Sequence, residues 1–201
     1  MDGVDSQLIQ GKELIIRGQE LMQEGLKLAY DLDYENDDNF TDTPNRVARA
    51  LLERCVGINS KDRCFKLLEK TFPSPYNDMV IVGPITVDAL CPHHFENVRF
   101  VVRMGYITKT KCVGLSKIGR VIRLYGRQPI LQETFTNDLK DIFNKAINPE
   151  GLIVTVHAQH NCMTCRGLNE KDAIAITSSV TGTLLDNPAS RQEFFELWKM
   201  N

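Results

Sequence analysis

The stretch from Met79 to Ile107, MVIVGPITVDALCPHHFENVRFVVRMGYI, carries two runs dense in Val, Ile, Phe and Tyr, residues 79–90 and 97–107, on either side of the short segment CPHHFE. Branched and aromatic side chains suit a pleated, half-buried surface, and two such runs with a short connection predict an antiparallel pair of strands. Downstream, Ser116 to Arg127 and Leu131 to Ile147 read as helices, the second with Phe135, Leu139, Ile142, Phe143 and Ala146 on one face and Pro129 as the break between the two. The runs GLIVTVHAQ (151–159) and KDAIAITSSVTG (171–182) predict two further strands, and a last helix is expected to start near Pro188. The order ββααββ is that of an α+β domain.

Upstream the texture is helical. Leu8, Ile9, Ile15, Leu21, Met22 and Leu26 recur at helical spacing within a segment expected to run from Val4 to Asp33. An acidic, Asn-rich run from Asp31 to Asp42 breaks that pattern, and Thr43-Pro44 starts a second helix expected over Asn45 to Val56. Ser60 can cap a third helix reaching Lys70, and Pro73-Ser74-Pro75 reads as a loop. The chain therefore divides, on sequence, into an N-terminal helical region, 1–75, and an α+β domain, 76–201.

Composition narrows the function classes. A chain of 201 residues, 42% hydrophobic and 25% charged, can enclose a core of its own and is not of disordered or fibrous type. Its net charge of -2 speaks against a general nucleic-acid binder, so any anion site must be local. No run approaches the roughly 20 apolar residues that cross a bilayer, and the opening MDGVDSQLIQ is acidic rather than signal-like, so a cytoplasmic protein is expected. Six cysteines in that setting are expected to be reduced thiols or metal ligands.

All four histidines fall in two short segments that also contain cysteine, CPHHFE (91–96) and HAQHNCMTCRG (157–167). Catalytic zinc sites use three protein ligands drawn from Cys, His and carboxylates, and keep one position open. Cys91 and His94, three residues apart, have a suitable spacing, and Cys162 can supply a third ligand from a distant strand end. Taken singly, each cysteine could instead be a small buried hydrophobe and each histidine a satisfied polar group; two adjacent clusters weigh against that. A second metal reading pairs His94-Phe95-Glu96 with Cys162-Met163-Thr164-Cys165, after the H-x-E and C-x-x-C pattern of zinc nucleobase deaminases. Against it, Asn161 stands where that signature has proline, and the element order is not that of a deaminase.

Six segments in order, TPNR (43–46), LCPHHF (90–95), GLSKIGR (114–120), RQPILQET (127–134), HNCMTCRG (160–167) and TSSVTG (177–182), resemble the GTP cyclohydrolase I family. The resemblance covers the chain from about residue 43 to its end. It implies the tunnelling fold, a ββααββ antiparallel sheet with helices on one face and an N-terminal helical arm, whose subunits close into an oligomeric barrel, a toroidal homodecamer. Unpaired edges of a four-stranded sheet make such closure physically sensible. The implied reaction takes GTP and water to 7,8-dihydroneopterin triphosphate and formate, the step that opens folate, pterin and deazapurine synthesis.

By the same resemblance Cys91, His94 and Cys162 would hold Zn2+, with His93 and His160 beside it as proton donors and acceptors. Zinc lowers the pKa of bound water toward neutrality, and a nearby imidazole can protonate a ring nitrogen as its bond breaks. Glu133 would read the guanine N1 and amino groups, a paired donor edge that adenine lacks; without the resemblance it is a solvated residue at a helix start. Leu115 and Gln132 would also contact the substrate. Ser116, Lys117, Arg120 and Arg166 would hold the triphosphate, with Arg46 reaching in from a neighbouring subunit; the helix start after Gly114 favours an anion. Read alone, each of these cations is a surface charge. His157 is read as structural, and Cys165 as a spare small residue. Pro92 stands where many members have glutamate, and Asn161 replaces a usually larger side chain. The strand bearing Arg99 and Arg103 is unusually basic, with no function attached to it.

Overall fold

The computed structural model describes the backbone of residues 2–199 and the side chains of residues 6–199. Contacts divide the chain into a helical unit that ends at Cys55 and a larger unit that begins at Val56. In the first, α1 (Asp2–Tyr30) packs on α2 (Thr43–Arg54), with a single 3-10 turn at Asp38–Phe40 between them. Helix α1 stops before the expected Asp33 because Asp31 turns to φ 55°, its N–H bonded to the Lys27 carbonyl at 2.8 Å. That left-handed residue is an ordinary way to end a helix.

The second unit contains α3 (Lys61–Leu68), β1 (Thr71–Pro73), β2 (Met79–Leu90), β3 (Asn97–Ile107), β4 (Lys111–Val113), α4 (Leu115–Gly126) and α5 (Gln132–Ile147). It continues through β5 (Gly151–His160), the short α6 (Asn161–Thr164), β6 (Ala175–Gly182), the short α7 (Thr183–Asp186) and α8 (Pro188–Lys199). Four strands form an antiparallel sheet in the order β2-β3-β5-β6. The expected ββααββ order is present, in an α+β fold. Among the described residues, no helix is long and apolar enough to cross a membrane.

Strand alternation sets the core. Val98, Phe100, Val102, Met104 and Tyr106 of β3 and Leu152, Val154, Val156 and Ala158 of β5 are buried, in one cluster with Ile118, Val121 and Ile122 of α4 and Phe135, Leu139 and Phe143 of α5. Each large side chain so buried contributes about 1.5–3 kcal/mol relative to exposure. Arg99, Arg103 and His157 occupy the intervening positions and face the other way.

Beyond shifts of a few residues at the ends of α1, α2 and α3, three features depart from the sequence reading. The segment around Pro73 is not simply a loop: β1 pairs antiparallel with β4, and Pro73, the last residue of a two-stranded edge, costs the ladder little. Strand β6 starts at Ala175, not at Lys171. The expectation of helices on one face holds for α4 and α5 but not for α8, whose Phe194 packs with Ile153 and Leu184 and whose Trp198 ring lies 4.5 Å from the Arg103 guanidinium, on the opposite face. Gly105 makes room for that packing, since a Cβ there would stand 2.5 Å from the Phe194 ring. Because Phe194 is itself 1% exposed and boxed in, Gly105→Ala is expected to destabilise the protein by about 1–3 kcal/mol, read as a lower denaturant midpoint at unchanged slope.

Candidate metal centre and active site

Two chain ends of the sheet meet at the site. Register pairs Val98 with His160, so the start of β3 and the end of β5 lie side by side, and the segments flanking them, 91–96 and 161–164, become neighbours. The first is a tight loop. Cys91 N–H donates to the Glu96 carbonyl and Phe95 N–H to the Cys91 carbonyl, both at 2.8 Å, with Phe95 at φ 56°. Leu90, just before it, is tied by its N–H to the Gln128 carbonyl at 3.2 Å and by its carbonyl to Ile130 N–H at 3.0 Å. The loop thereby folds His93 and His94 back on Cys91: the Cys91 Sγ lies 3.9 Å from His93 Nδ1 and 3.7 Å from His94 Nδ1.

Cys162 comes from the four-residue turn of α6. The ligand atoms of Cys91, His94 and Cys162 all lie within 4.8 Å of one another. Two thiols and an imidazole at that spacing suit zinc as a donor set, and three protein ligands leave a coordination position for a small molecule. Burial, and then the neighbouring Cys91 sulfur, push the Cys162 thiol above its usual range. Thiolate ligands of a divalent cation are deprotonated, so an ion bound here would shift this thiol the other way. Cys165 lies outside this donor group and is exposed, its sulfur 3.5 Å from the Thr164 hydroxyl. The C-x-x-C pair that a deaminase centre requires is thus not assembled.

His160 closes β5 beside Cys162. Its Nε2 is 3.0 Å from the side-chain oxygen of Gln132, the first residue of α5. Burial lowers the His160 pKa, and the adjacent Glu133 carboxylate opposes this in part. Glu133 is itself exposed in the first turn of α5. Gln132 is 3% exposed. Arg166 is exposed and close enough to Cys162 to favour its thiolate.

The remaining expected contacts belong to other elements, α4 and α2. Leu115, Ser116, Lys117 and Arg120 lie at the start of α4, where Gly114 is the N-cap and no side chain caps the helix; Leu115, Ser116 and Arg120 are exposed. The Lys117 amino group donates to the Lys70 carbonyl at 3.1 Å. Arg46 belongs to the other unit, where its guanidinium donates to the Asn39 carbonyl at 3.0 Å and the Thr43 hydroxyl at 3.1 Å. Sequence reading missed Thr136 and Thr177, which frame Gln132. The available signals were the i, i+4 spacing of Gln132 and Thr136 on one helix face and the TSSVTG segment that contains Thr177.

The model of the family described as GTP cyclohydrolase I matches residues 22–199. The chain is 36% identical over 167 residues to the GTP cyclohydrolase 1 of Mycobacterium avium (strain 104), covering 81% of each chain. It is 32% identical over 185 residues to that of Clostridium perfringens (strain 13 / Type A), covering 90% of this chain and 98% of the other. Among solved structures, the archaeosine synthase QueF-Like in the apo form aligns with a TM-score of 0.43 at 19% identity, over 54% of this chain and 96% of that one, a likeness too weak to argue from.

Proposed function

The chain belongs to the GTP cyclohydrolase I family, and from that membership we propose that it is a zinc-dependent enzyme that opens the purine ring of GTP by hydrolysis, giving 7,8-dihydroneopterin triphosphate and formate. The observation that carries the reading to residues is the convergence of Cys91, His94 and Cys162 within 4.8 Å, with His93 and His160 alongside. Cys91, His94 and Cys162 would hold the zinc, which would supply Lewis-acid activation of water for attack on the guanine ring.

The chain's own groups do the rest. His160 and His93 move protons to and from the ring nitrogens as the five-membered ring opens. Glu133, exposed beside His160, accepts from guanine N1–H and the exocyclic amino group. Leu115 borders the base, and Gln132 meets His160. Ser116, Lys117, Arg120 and Arg166 take the triphosphate, with the uncapped N–H groups at the start of α4 adding their dipole. Arg46 serves the site of a neighbouring subunit.

That last role needs an assembly, and we read the chain as a cytoplasmic tunnelling-fold homo-oligomer, a decameric barrel. Two observations support it. Strands β2 and β6 are edges, each with one sheet partner among the described residues. Helix α1 leaves Leu14, Leu21 and Met22 exposed, an apolar face suited to a second copy. Purified zinc-loaded protein incubated with GTP is expected to release formate and a product that becomes a fluorescent pterin on oxidation. Ammonia in place of formate would refute ring opening in favour of deamination, and GTP binding with neither product would leave a non-catalytic relative.

A further inference from the structure

The Gln132 side chain is buried with its polar atoms engaged inside the protein. Its amide nitrogen lies 3.0 Å from the Val156 carbonyl oxygen, 3.2 Å from that of Ala175 and 3.1 Å from the Thr177 hydroxyl. Carbonyl oxygens only accept, so this corner must be filled by the amide's N–H donors; reversing the group would set its oxygen against two others. The amide oxygen is thereby fixed on the far side, 3.0 Å from His160 Nε2. Thr136 braces the arrangement, its hydroxyl 2.7 Å from the Gln132 main-chain carbonyl and 2.6 Å from the Thr177 hydroxyl. An amide oxygen cannot donate, so the imidazole nitrogen that faces it must carry the hydrogen.

We propose that Gln132 is a positioning residue that holds His160 as the Nε2–H tautomer, leaving Nδ1 as the atom that exchanges a proton with the substrate. The chain of constraint runs from two main-chain carbonyls, through one amide, to one ring nitrogen. When His160 acts as an acid, the proton leaves Nδ1 of the imidazolium, its N–H electron pair stays on Nδ1, and the ring is left neutral with its hydrogen on Nε2. When it acts as a base, the same atom takes the proton back. Gln132 therefore acts on the substrate through His160 and not through its own amide, both ends of which are engaged. The proton-exchange half of this inference rests on the ring-opening function proposed above; the tautomer does not.

The test is magic-angle-spinning NMR of the zinc-loaded full-length protein with 15N,13C-labelled histidine, at a pH where the ring is neutral. His160 is assigned by its disappearance in His160→Ala. The hydrogen-bearing nitrogen is expected to be Nε2, with bare Nδ1 identified by its one-bond coupling to Cγ; a hydrogen on Nδ1, or a mixture of the two tautomers, overturns the proposal. This result needs no Gln132 variant and is independent of whether GTP is turned over, so a failed assay for formate and a failed tautomer assignment are separate outcomes. In Gln132→Leu the second tautomer is expected to appear, with kcat about 10- to 100-fold lower, zinc content unchanged and KM for GTP within about twofold of the parent. A raised KM at unchanged kcat would instead make Gln132 a direct contact of the base and overturn the positioning role.

Discussion

Cys162→Ala is expected to strip the protein of zinc and of all measurable turnover, while Cys165→Ala keeps both. The two cysteines stand three residues apart on one turn, and only the first has its sulfur within 4.8 Å of the ligand atoms of Cys91 and His94. Removing it leaves one thiol and one imidazole from a single loop, fewer than the three protein ligands a catalytic zinc site needs. Cys162 is part-exposed on the short α6 and only borders the main core, so the alanine variant is expected to fold. Metal analysis of each purified variant, with circular dichroism to verify the fold, decides the matter. Full zinc in Cys162→Ala together with loss of zinc in Cys165→Ala would reassign the third ligand.

Spacing alone did not separate those two cysteines; the backbone does. C-x-x-C leaves either sulfur available, whereas the strand end at His160 and the turn that follows set Cys162 toward the 91–96 loop and leave Cys165 in solvent. The strands of the main sheet were legible because their apolar runs are long and strongly β-patterned: β2 and β3 have the expected bounds. The β1–β4 pair was not, because three-residue strands with a proline carry almost no periodic signal. Nor was the side of the sheet that α8 takes. Amphipathy identifies an apolar helix face but not the surface it meets, and the clue lay elsewhere, in a glycine at position 105 in mid-strand beneath Phe194. The Gln132–His160 bond was illegible for a similar reason. The two residues are 28 apart in sequence, and what joins them is the packing of α5 against β5 and β6.

His160→Ala is expected to keep zinc and lose turnover, unlike Cys165→Ala, which keeps both, and Cys162→Ala, which loses both. His160 is not in the metal donor group, so its removal leaves the three ligands in place. What goes is a partly buried imidazole, its pKa lowered by burial, of the side-chain type best suited to both give and take a proton. Deleting a general acid or base costs about 100- to 10,000-fold in kcat. KM for GTP should change much less, since Glu133 and the cations at the start of α4 are untouched. Gln132→Leu placed on the His160→Ala background should then lose little more, because the amide has no ring left to orient, whereas two groups that act on the substrate independently would multiply their losses. Zinc loss in His160→Ala would make this histidine a ligand. Turnover within about threefold of the parent would instead transfer the proton-handling role to His93, whose Nδ1 lies 3.9 Å from the Cys91 sulfur.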